Sequence, residues 1–331
     1  MSRRSLATPI LDDASGPARE AAPRSLRAVE ASSQPAARRL RGSSGARPLL
    51  DLPAGPPRPA ARTSVEPFIK WAGGKSRVLP ELLARLPSAA GWSGRYFEPF
   101  LGGAALYLHQ QPAGAVLSDT NPELVNLYAI VRDQPEALIA NLARHAYERA
   151  HYYAVRAIDP ATLEPVERAA RFVFLNRTCF NGLWRVNRQG QFNVPFGRHT
   201  NPNVCPTDRI LRASEALAAA TIRHADFEAS LDSARAGDFV YLDPPYVPLT
   251  PTASFTAYTA SDFGLADQRR LADRVRALTA RGVMCMVSNS DTPVVRELYA
   301  GLRIDRILVA RNIARTVAGR APVGEVIVRN Y

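Results

Sequence analysis

The sequence of 331 residues is poor in cysteine, in lysine and in long apolar runs. Its three cysteines, Cys179, Cys205 and Cys285, form no Cys-x-x-Cys pair and no Cys/His cluster with zinc spacing. We therefore expect no metal, a reduced cytoplasmic setting and, for Cys285, a thiol buried in the core. Since no run of about 18 apolar residues occurs, nothing in the chain is expected to span a membrane.

Positive charge is in excess, and half of it lies in the first 64 residues. The formal net charge is +12, of which residues 1–64 carry +6. An excess of this size favours a polyanionic partner such as nucleic acid, although many basic faces are only solvated. Residues 1–64 are rich in Arg, Ala and Pro without an apolar period, which predicts a disordered tail. Translation beginning near Val65 is the alternative explanation.

From residue 65 onward, short apolar strands alternate with amphipathic helices, a pattern that predicts a mostly parallel, doubly wound α/β sheet. The predicted strands lie at 96–100, 115–119, 238–242, 283–288, 303–310 and 325–331. The predicted helices lie at 104–109, 122–132, 135–147, 165–175, 265–280 and 292–299. The alternation breaks over 122–214, which indicates an inserted subdomain, and a hairpin turn is predicted there at 188–190.

The sequence Asp243-Pro244-Pro245-Tyr246 follows a predicted buried strand. In open α/β sheets, ligands bind beyond the carboxyl ends of the strands. Because proline has no N–H group, carbonyl oxygens face the site here without backbone donors beside them. The Asp243 carboxylate and the Pro244 carbonyl can then each accept one hydrogen of an adenine amine. Tyr246 offers a flat face on which an extruded base can stack. A proline-rich turn with an aspartate cap is the competing interpretation of these four residues.

Both lysines of the chain lie in the segment FIKWAGGKS at 68–76. A phosphate-binding loop would need glycine where Ile69 stands, which argues against a nucleotide triphosphatase. Because the chain uses arginine everywhere else, Lys70 and Lys75 indicate places that require a compact ammonium group. Two solvated lysines that meet here by chance are the alternative.

The segment FEPFLGG at 97–103 places an acid, Glu98, before a glycine turn into a helix. Such a turn lets a cofactor approach the backbone closely. Asp119 ends the next strand and can accept hydrogen bonds from a ribose diol. It could instead cap the following helix, although Asn121 can also do so.

Taken together and in order, WAGGK, EPFLGG, the Asp119 turn, NGLWRVN with FNVPFG, DPPY and a terminal RNI…GR…E…NY resemble the Dam-type adenine-specific DNA methyltransferases of the D12 class, alpha-group. The resemblance covers 67–331. It implies a Rossmann-like S-adenosylmethionine-dependent methyltransferase sheet with an inserted, mainly helical DNA-recognition subdomain that bears a β-hairpin. The cofactor-binding part would be 65–121, the target-recognition subdomain 122–214, and the DPPY part 215–331.

The resemblance also implies roles for individual residues. The flipped adenine would be held by Asp243, Pro244, Pro245 and Tyr246. S-adenosylmethionine would be contacted by Trp71, Lys75, Glu98, Phe100, Gly102, Asp119 and Asp243. DNA would be contacted by Lys70, Phe180, Asn181, Leu183, Arg185, Pro195 and Arg320. Arg185 is the candidate reader of guanine, and an arginine on a phosphate is the competing role.

The implied activity is direct methyl transfer to N6 of adenine in a short duplex target, with GATC as the candidate sequence. No metal is expected, double-stranded DNA is the expected partner, and a cognate restriction endonuclease is a candidate partner. We expect a monomer. Ala104, where many members of the family carry a third glycine, would tighten the cofactor pocket slightly. Two further departures, Phe180 for tyrosine and a bulky Trp184, leave the target sequence open. A DNA-binding module that lacks activity is the rival from another class.

Overall fold

In the part of the chain that the structure describes, seven strands form one sheet, and α-helices lie in the connections between the first six of them. The computed structural model describes residues 64–88, 92–248, 263–309 and 323–331. The strands are β1 (Tyr96–Glu98), β2 (Val116–Asp119), β3 (Thr221–His224), β4 (Phe239–Leu242), β5 (Met284–Ser290), β6 (Arg303–Val309) and β7 (Val323–Arg329). The helices are α1 (Leu79–Leu83), α2 (Ala105–Gln110), α3 (Pro122–Asp133), α4 (Pro135–Leu142), α5 (Arg149–Ala157), α6 (Pro165–Thr178), α7 (Thr207–Leu217), α8 (Phe227–Leu231), α9 (Leu265–Ala280) and α10 (Pro293–Leu298). Short 3-10 helices span Lys75–Arg77, Pro160–Thr162 and Phe180–Gly182.

The strand order is β3-β2-β1-β4-β5-β7-β6. Strands β1 to β5 run parallel, and β7 pairs antiparallel with both β5 and β6. The predicted α/β fold with a mostly parallel sheet is therefore confirmed. The chain passes outward from β1 to β3 and then returns to β4 on the other side of β1. This reversal creates a switch point between β1 and β4, where open α/β sheets bind their ligands.

Both faces of the sheet are buried, which explains why its central strands are apolar on both sides. Alternate strand residues belong to two separate clusters, as the two-residue period of a strand requires. Tyr96 and Tyr241 join a cluster that continues into α3, α6 and α7. Phe97 and Val240 join a second cluster that includes α8 and α9. Cys285 lies in the second cluster at 1% exposure, as expected for a core thiol.

Most long elements match the sequence prediction, and α9 matches it at both ends. The predicted helix 135–147 is wrong in its second half, because α4 ends at Leu142. Beyond that point His145 stacks on Phe174, with ring centroids 4.6 Å apart, and the Tyr147 hydroxyl donates to the Gly197 carbonyl. These tertiary contacts hold the segment out of a helical path.

The hairpin predicted around 188–190 is present, but its pairing is limited. Val186 and Phe192 form an isolated antiparallel bridge, and the Gly190 N–H donates to the Asn187 carbonyl across the turn. Gly190 has a φ of +76°, a conformation that glycine adopts without strain. The boundaries proposed for the inserted subdomain at 122 and 214 stay a prediction.

None of the described helices combines the length and apolar character needed to cross a bilayer.

Candidate active site

Acidic side chains come at the ends of three adjacent parallel strands. Glu98 ends β1, Asp119 ends β2, and Asp243 directly follows β4. Because β2, β1 and β4 are neighbours in the sheet, these three carboxylates lie along one edge. Glu98 and Asp243 flank the switch point, where open α/β sheets bind their ligands, and the ligand site itself stays a prediction.

Lys75 is brought directly onto the DPPY motif. Its Nζ lies 2.7 Å from Asp243 Oδ1 and 4.8 Å from the centroid of the Tyr246 ring, and it also donates to the Gly73 carbonyl. The lysine is only 6% exposed, so its ammonium group is bound by these protein groups and not by solvent. Burial raises the pKa of Asp243 to about 6, and the charge of Lys75 opposes that rise. The alternative of a solvated Lys75 is thereby excluded.

Buried polar side chains, which the sequence analysis did not single out, form hydrogen bonds to the backbone of the DPPY turn. Gln268 Nε2 on α9 donates to the Pro245 carbonyl at 2.7 Å, and Asn289 Oδ1 on β5 accepts from the Val247 N–H at 3.1 Å. Asn289 Nδ2 also donates to Gln268 Oε1 at 3.1 Å, and both side chains are fully buried. Because buried polar groups must find partners, this pair fixes the turn at two points.

The Tyr246 hydroxyl has a defined partner on a closing strand. It donates to Glu325 Oε2 on β7 at 3.0 Å. Glu325 also adds to the rise in the pKa of Asp243. The tyrosine ring is therefore held at its edge by Glu325, with the Lys75 ammonium over its face.

Asp119 organises the glycine turn instead of capping α3. Its Oδ2 accepts from the Gly102 N–H at 3.1 Å, and its Oδ1 accepts from the Asn121 N–H at 2.9 Å. The cap of α3 is the Asn121 side chain, which accepts from the N–H groups of Glu123 and Leu124. Burial raises the pKa of Asp119, and its backbone donors oppose this. A carboxylate has about four lone-pair sites, more than the backbone donors around Asp119 use, so it can still accept from a hydroxyl group.

Trp71 forms one wall of the glycine turn. Gly102 has a φ of +47°, and a Cβ added there would lie 2.8 Å from Trp71 Cδ1. Trp71 in turn stacks on Phe172 of α6, with centroids 6.3 Å apart and planes 15° apart. Ala104, in the position where a third glycine was expected, has a φ of +52°, which costs an alanine roughly 1–2 kcal/mol.

Glu98 and Phe100 frame the other side of the turn. Burial raises the pKa of Glu98 to about 8, against a hydrogen bond from the Tyr96 hydroxyl at 2.7 Å that favours the carboxylate. Phe100 stacks on Phe227 at 5.6 Å and meets the edge of Phe263 at the same distance. Glu98 is thus a buried acid at the switch point, and Phe100 anchors the turn to α8.

The residues expected to contact DNA gather around the 3-10 helix Phe180–Gly182. Phe180 is 54% exposed, and its N–H donates to the carbonyl of the exposed Pro195 at 2.9 Å. Asn181 is exposed at a φ of +56°, and Leu183 is half-buried. Arg185 is exposed, and its Nε donates to Asn193 Oδ1 at 2.8 Å.

Lys70 joins this group through the backbone of the 3-10 helix, because a Cβ added to Gly182 would lie 2.3 Å from Lys70 Cδ. Trp184 does not belong to the exposed surface: it is 2% exposed and stacks on Phe172 at 3.7 Å. The bulk of Trp184 therefore fills the core instead of altering a base-reading face. Arg320 and the segment 249–262 after DPPY lie outside the described residues.

A comparison with known families shows which family the chain belongs to. The model of the D12 class N6 adenine-specific DNA methyltransferases matches residues 71–313. The chain belongs to this family. The methyltransferase therefore acts on adenine in DNA, as its motifs predict, and its family uses S-adenosylmethionine.

Relatives cover most of the methyltransferase. It is 40% identical to the type II methyltransferase M1.LlaDCHI of Lactococcus lactis subsp. cremoris over 278 residues, which make up 82% of this chain and 97% of that protein. The DNA adenine methylase of Haemophilus influenzae is 36% identical over 79% of this chain and 92% of its own length. The DNA adenine methylase of Escherichia coli is 33% identical over 78% of this chain and 93% of its own length.

Metal-ligating side chains do not converge in the described ranges of the methyltransferase. No group of three His, Cys, Asp or Glu side chains lies close enough there to hold an ion. The expectation of a metal-free enzyme stays a prediction.

Proposed function

We propose that this methyltransferase transfers a methyl group to N6 of an adenine that is flipped out of a short duplex target, at the site formed by residues 243–246. The observation that carries the proposal is the buried ion pair between Lys75 and Asp243 at the switch point of the sheet. It combines the two most specific sequence motifs in one place, beside the aromatic face of Tyr246.

The amine of the adenine is activated by acceptors alone. With a pKa of about 6, Asp243 is ionised at neutral pH and accepts one amine hydrogen, while the Pro244 carbonyl accepts the other. These hydrogen bonds draw the nitrogen lone pair out of conjugation with the ring, which makes the nitrogen a nucleophile. The protein acts by position and by electrostatics, without a covalent enzyme intermediate and without a metal.

The glycine turn and its surroundings suit S-adenosylmethionine, which supplies an electrophilic methyl group when it is bound. Gly102 has no side chain, so the Trp71 ring lies directly against the backbone of the turn and forms a wall of the proposed cofactor pocket. Asp119 retains lone pairs for a ribose diol. The proposed cofactor contacts are Trp71, Lys75, Glu98, Phe100, Gly102, Asp119 and Asp243.

The DNA side of the proposal rests on exposed side chains near the 3-10 helix Phe180–Gly182. We name residues 180–185 the recognition loop. The guanidinium of Arg185 has the bidentate geometry that reads guanine in a major groove. Lys70, Pro195 and Arg320 complete the proposed DNA contacts, and GATC is the candidate target. We further propose that the enzyme is a cytoplasmic monomer. Because one of its relatives is a type II methyltransferase, a cognate restriction endonuclease is a candidate partner.

Plasmid DNA tests the reaction and the target together. The full chain is expressed in a host without DNA methylation, and the plasmid is sequenced by a single-molecule method that detects N6-methyladenine. The expected result is methylation at one short motif. In Arg185→Ala, methylation should spread to sequences that differ from that motif. Arg188 is an exposed arginine on the same hairpin, and Arg188→Ala should leave the methylated motif unchanged. Unmethylated DNA from a folded protein that still binds DNA would favour an inactive DNA-binding module.

A further inference from the structure

One buried carboxamide ties together two segments that are far apart in the sequence. Asn176 lies on α6 and is fully buried. Its Oδ1 accepts from the Lys70 N–H at 2.9 Å, and its Nδ2 donates to the Lys70 carbonyl at 2.7 Å. The same Nδ2 also donates to the Gly182 carbonyl at 3.3 Å. Asn176 therefore joins the segment of Lys70 to the recognition loop.

The two segments that Asn176 joins also touch each other closely. Gly182 has a φ of +62°, and a Cβ added there would lie 2.3 Å from Lys70 Cδ and 2.7 Å from Lys70 Cβ. The stem of Lys70 thus lies against the backbone of the recognition loop, with no room for a side chain between them. Burial and the nearby charge of Arg177 lower the pKa of Lys70, in keeping with this close packing.

A second contact pair from the same helix repeats the connection. Phe172 lies one helical turn before Asn176, so the two side chains share a face of α6. The Phe172 ring stacks on Trp184 of the recognition loop at 3.7 Å and on Trp71, the neighbour of Lys70, at 6.3 Å. This face of α6 holds the same two segments by hydrogen bonds at one point and by stacked rings at another.

We propose that Asn176 is a positioning residue for target discrimination. It sets the position of the recognition loop relative to Lys70, so that Lys70 and Arg185 meet the same short stretch of base pairs in register. Loss of the two hydrogen bonds that its Nδ2 donates lets the two segments shift relative to each other. The inference rests on the proposed function, in which these residues contact DNA.

The variant Asn176→Asp tests this, because it keeps the shape and the oxygen acceptor but removes both donated hydrogen bonds. Asn330→Asp is a matched control. Asn330 Oδ1 accepts from the Cys285 N–H at 2.8 Å, and its Nδ2 donates to Thr279 Oγ1 and to the Val283 carbonyl, both at 2.8 Å. Asn330 follows β7 and lies beside the first residues of β5. Asp243 lies at the opposite ends of the parallel strands, so Asn330 is remote from the proposed site.

The measurement is kcat/KM on the duplex that carries the preferred motif, divided by kcat/KM on duplexes with one base pair of that motif changed. We expect Asn176→Asp to lower this ratio about tenfold, since two hydrogen bonds are lost, while Asn330→Asp leaves it unchanged. If Asn176→Asp does not fold, Gly182→Ala against Gly190→Ala gives the same comparison. Both glycines have a positive φ, but only at Gly182 does an added Cβ meet Lys70.

A wild-type ratio in Asn176→Asp, with thermal stability lowered as in Asn330→Asp, would show a purely structural role and overturn the inference alone. A wild-type enzyme that methylates all of these duplexes equally would remove the proposed target reading and this inference together.

Discussion

Lys75 Nζ lies 2.7 Å from Asp243 Oδ1. This contact joins the segment 68–76 to the DPPY motif at the carboxyl end of β4. Both side chains are largely buried, so the pair is weakly screened by solvent. Burial alone would favour a protonated Asp243, and the lysine opposes this. The ion pair therefore keeps ionised the carboxylate that the proposed reaction needs as an acceptor.

Replacement of Lys75 should shift the pH dependence of the enzyme. In Lys75→Ala the pKa of Asp243 loses its main opposing influence and rises above its value of about 6. Since the ionised carboxylate is the active form, the acidic limb of the kcat/KM profile should move to higher pH. The profile is measured from about pH 5 to pH 9.

Arg77→Ala serves as the control for Lys75→Ala, because Arg77 is an exposed cation in the same 3-10 helix. Its acidic limb should stay in place. An unshifted limb in Lys75→Ala would show that Lys75 does not control the charge of Asp243.

A side chain at Gly102 should weaken the binding of S-adenosylmethionine. In Gly102→Ala the new Cβ would lie 2.8 Å from Trp71 Cδ1 and displace that ring. Gly114→Ala is the matched control: Gly114 also has a positive φ, of +66°, but nothing lies within 4 Å of the added Cβ. Both variants should lose roughly 1–2 kcal/mol of stability from the left-handed backbone, and only Gly102→Ala should raise the Kd measured by calorimetry. Equal Kd values in the two variants would remove Trp71 and Gly102 from the cofactor site.

Glu98 should make the ligand-free protein less stable as the pH rises. Its pKa is about 8 in the folded protein against an ordinary value of 4.5, so between these values the folded state keeps a proton that the unfolded state has lost. Stability contributed by this group therefore falls with rising pH by up to about 1.4 kcal/mol per pH unit, and levels off above about 8.

Glu98→Gln removes that dependence. The Tm of the variant minus the Tm of the wild type should increase as the pH rises from about 5 to 8. Thermal unfolding of both proteins across this range measures that difference. Glu136→Gln, an exposed acid on α4, controls for the change in net charge. A constant difference in Tm across the range would contradict the raised pKa.

Patterns within one segment could be predicted from the sequence. The apolar stretch before Asp243 predicted β4, the run 265–280 predicted α9, and the spacing of Asp119 and Asn121 showed that either could cap α3. These features depend on neighbours in the chain. The short edge strand β3 was missed because it is mostly exposed and is defined by its pairing with β2.

Residues whose role depends on a distant partner could not be predicted in this way. Gln268 is an ordinary polar residue in its own segment, and only the fold brings it to Pro245. Glu325 belongs to the terminal E…NY motif, but its contact with the Tyr246 hydroxyl depends on the fold. Asn176 contacts a backbone 106 residues away. A weak signal did exist for Asn289: it is a polar residue directly after the apolar stretch 283–288 that predicted a strand, and ligands bind at the carboxyl ends of such strands.

The most direct test of the account is methyl transfer by Asp243→Ala. Transfer of tritium from labelled S-adenosylmethionine to duplex DNA is measured together with DNA affinity. Asp238→Ala, at the other end of the same strand, where the acid pairs with Arg95, controls for a loss of stability. We expect Asp243→Ala to lose at least roughly 10²–10³-fold in transfer while it still binds DNA, and Asp238→Ala to stay active once folded. Near-normal transfer by Asp243→Ala would contradict the proposal that this carboxylate holds the adenine amine.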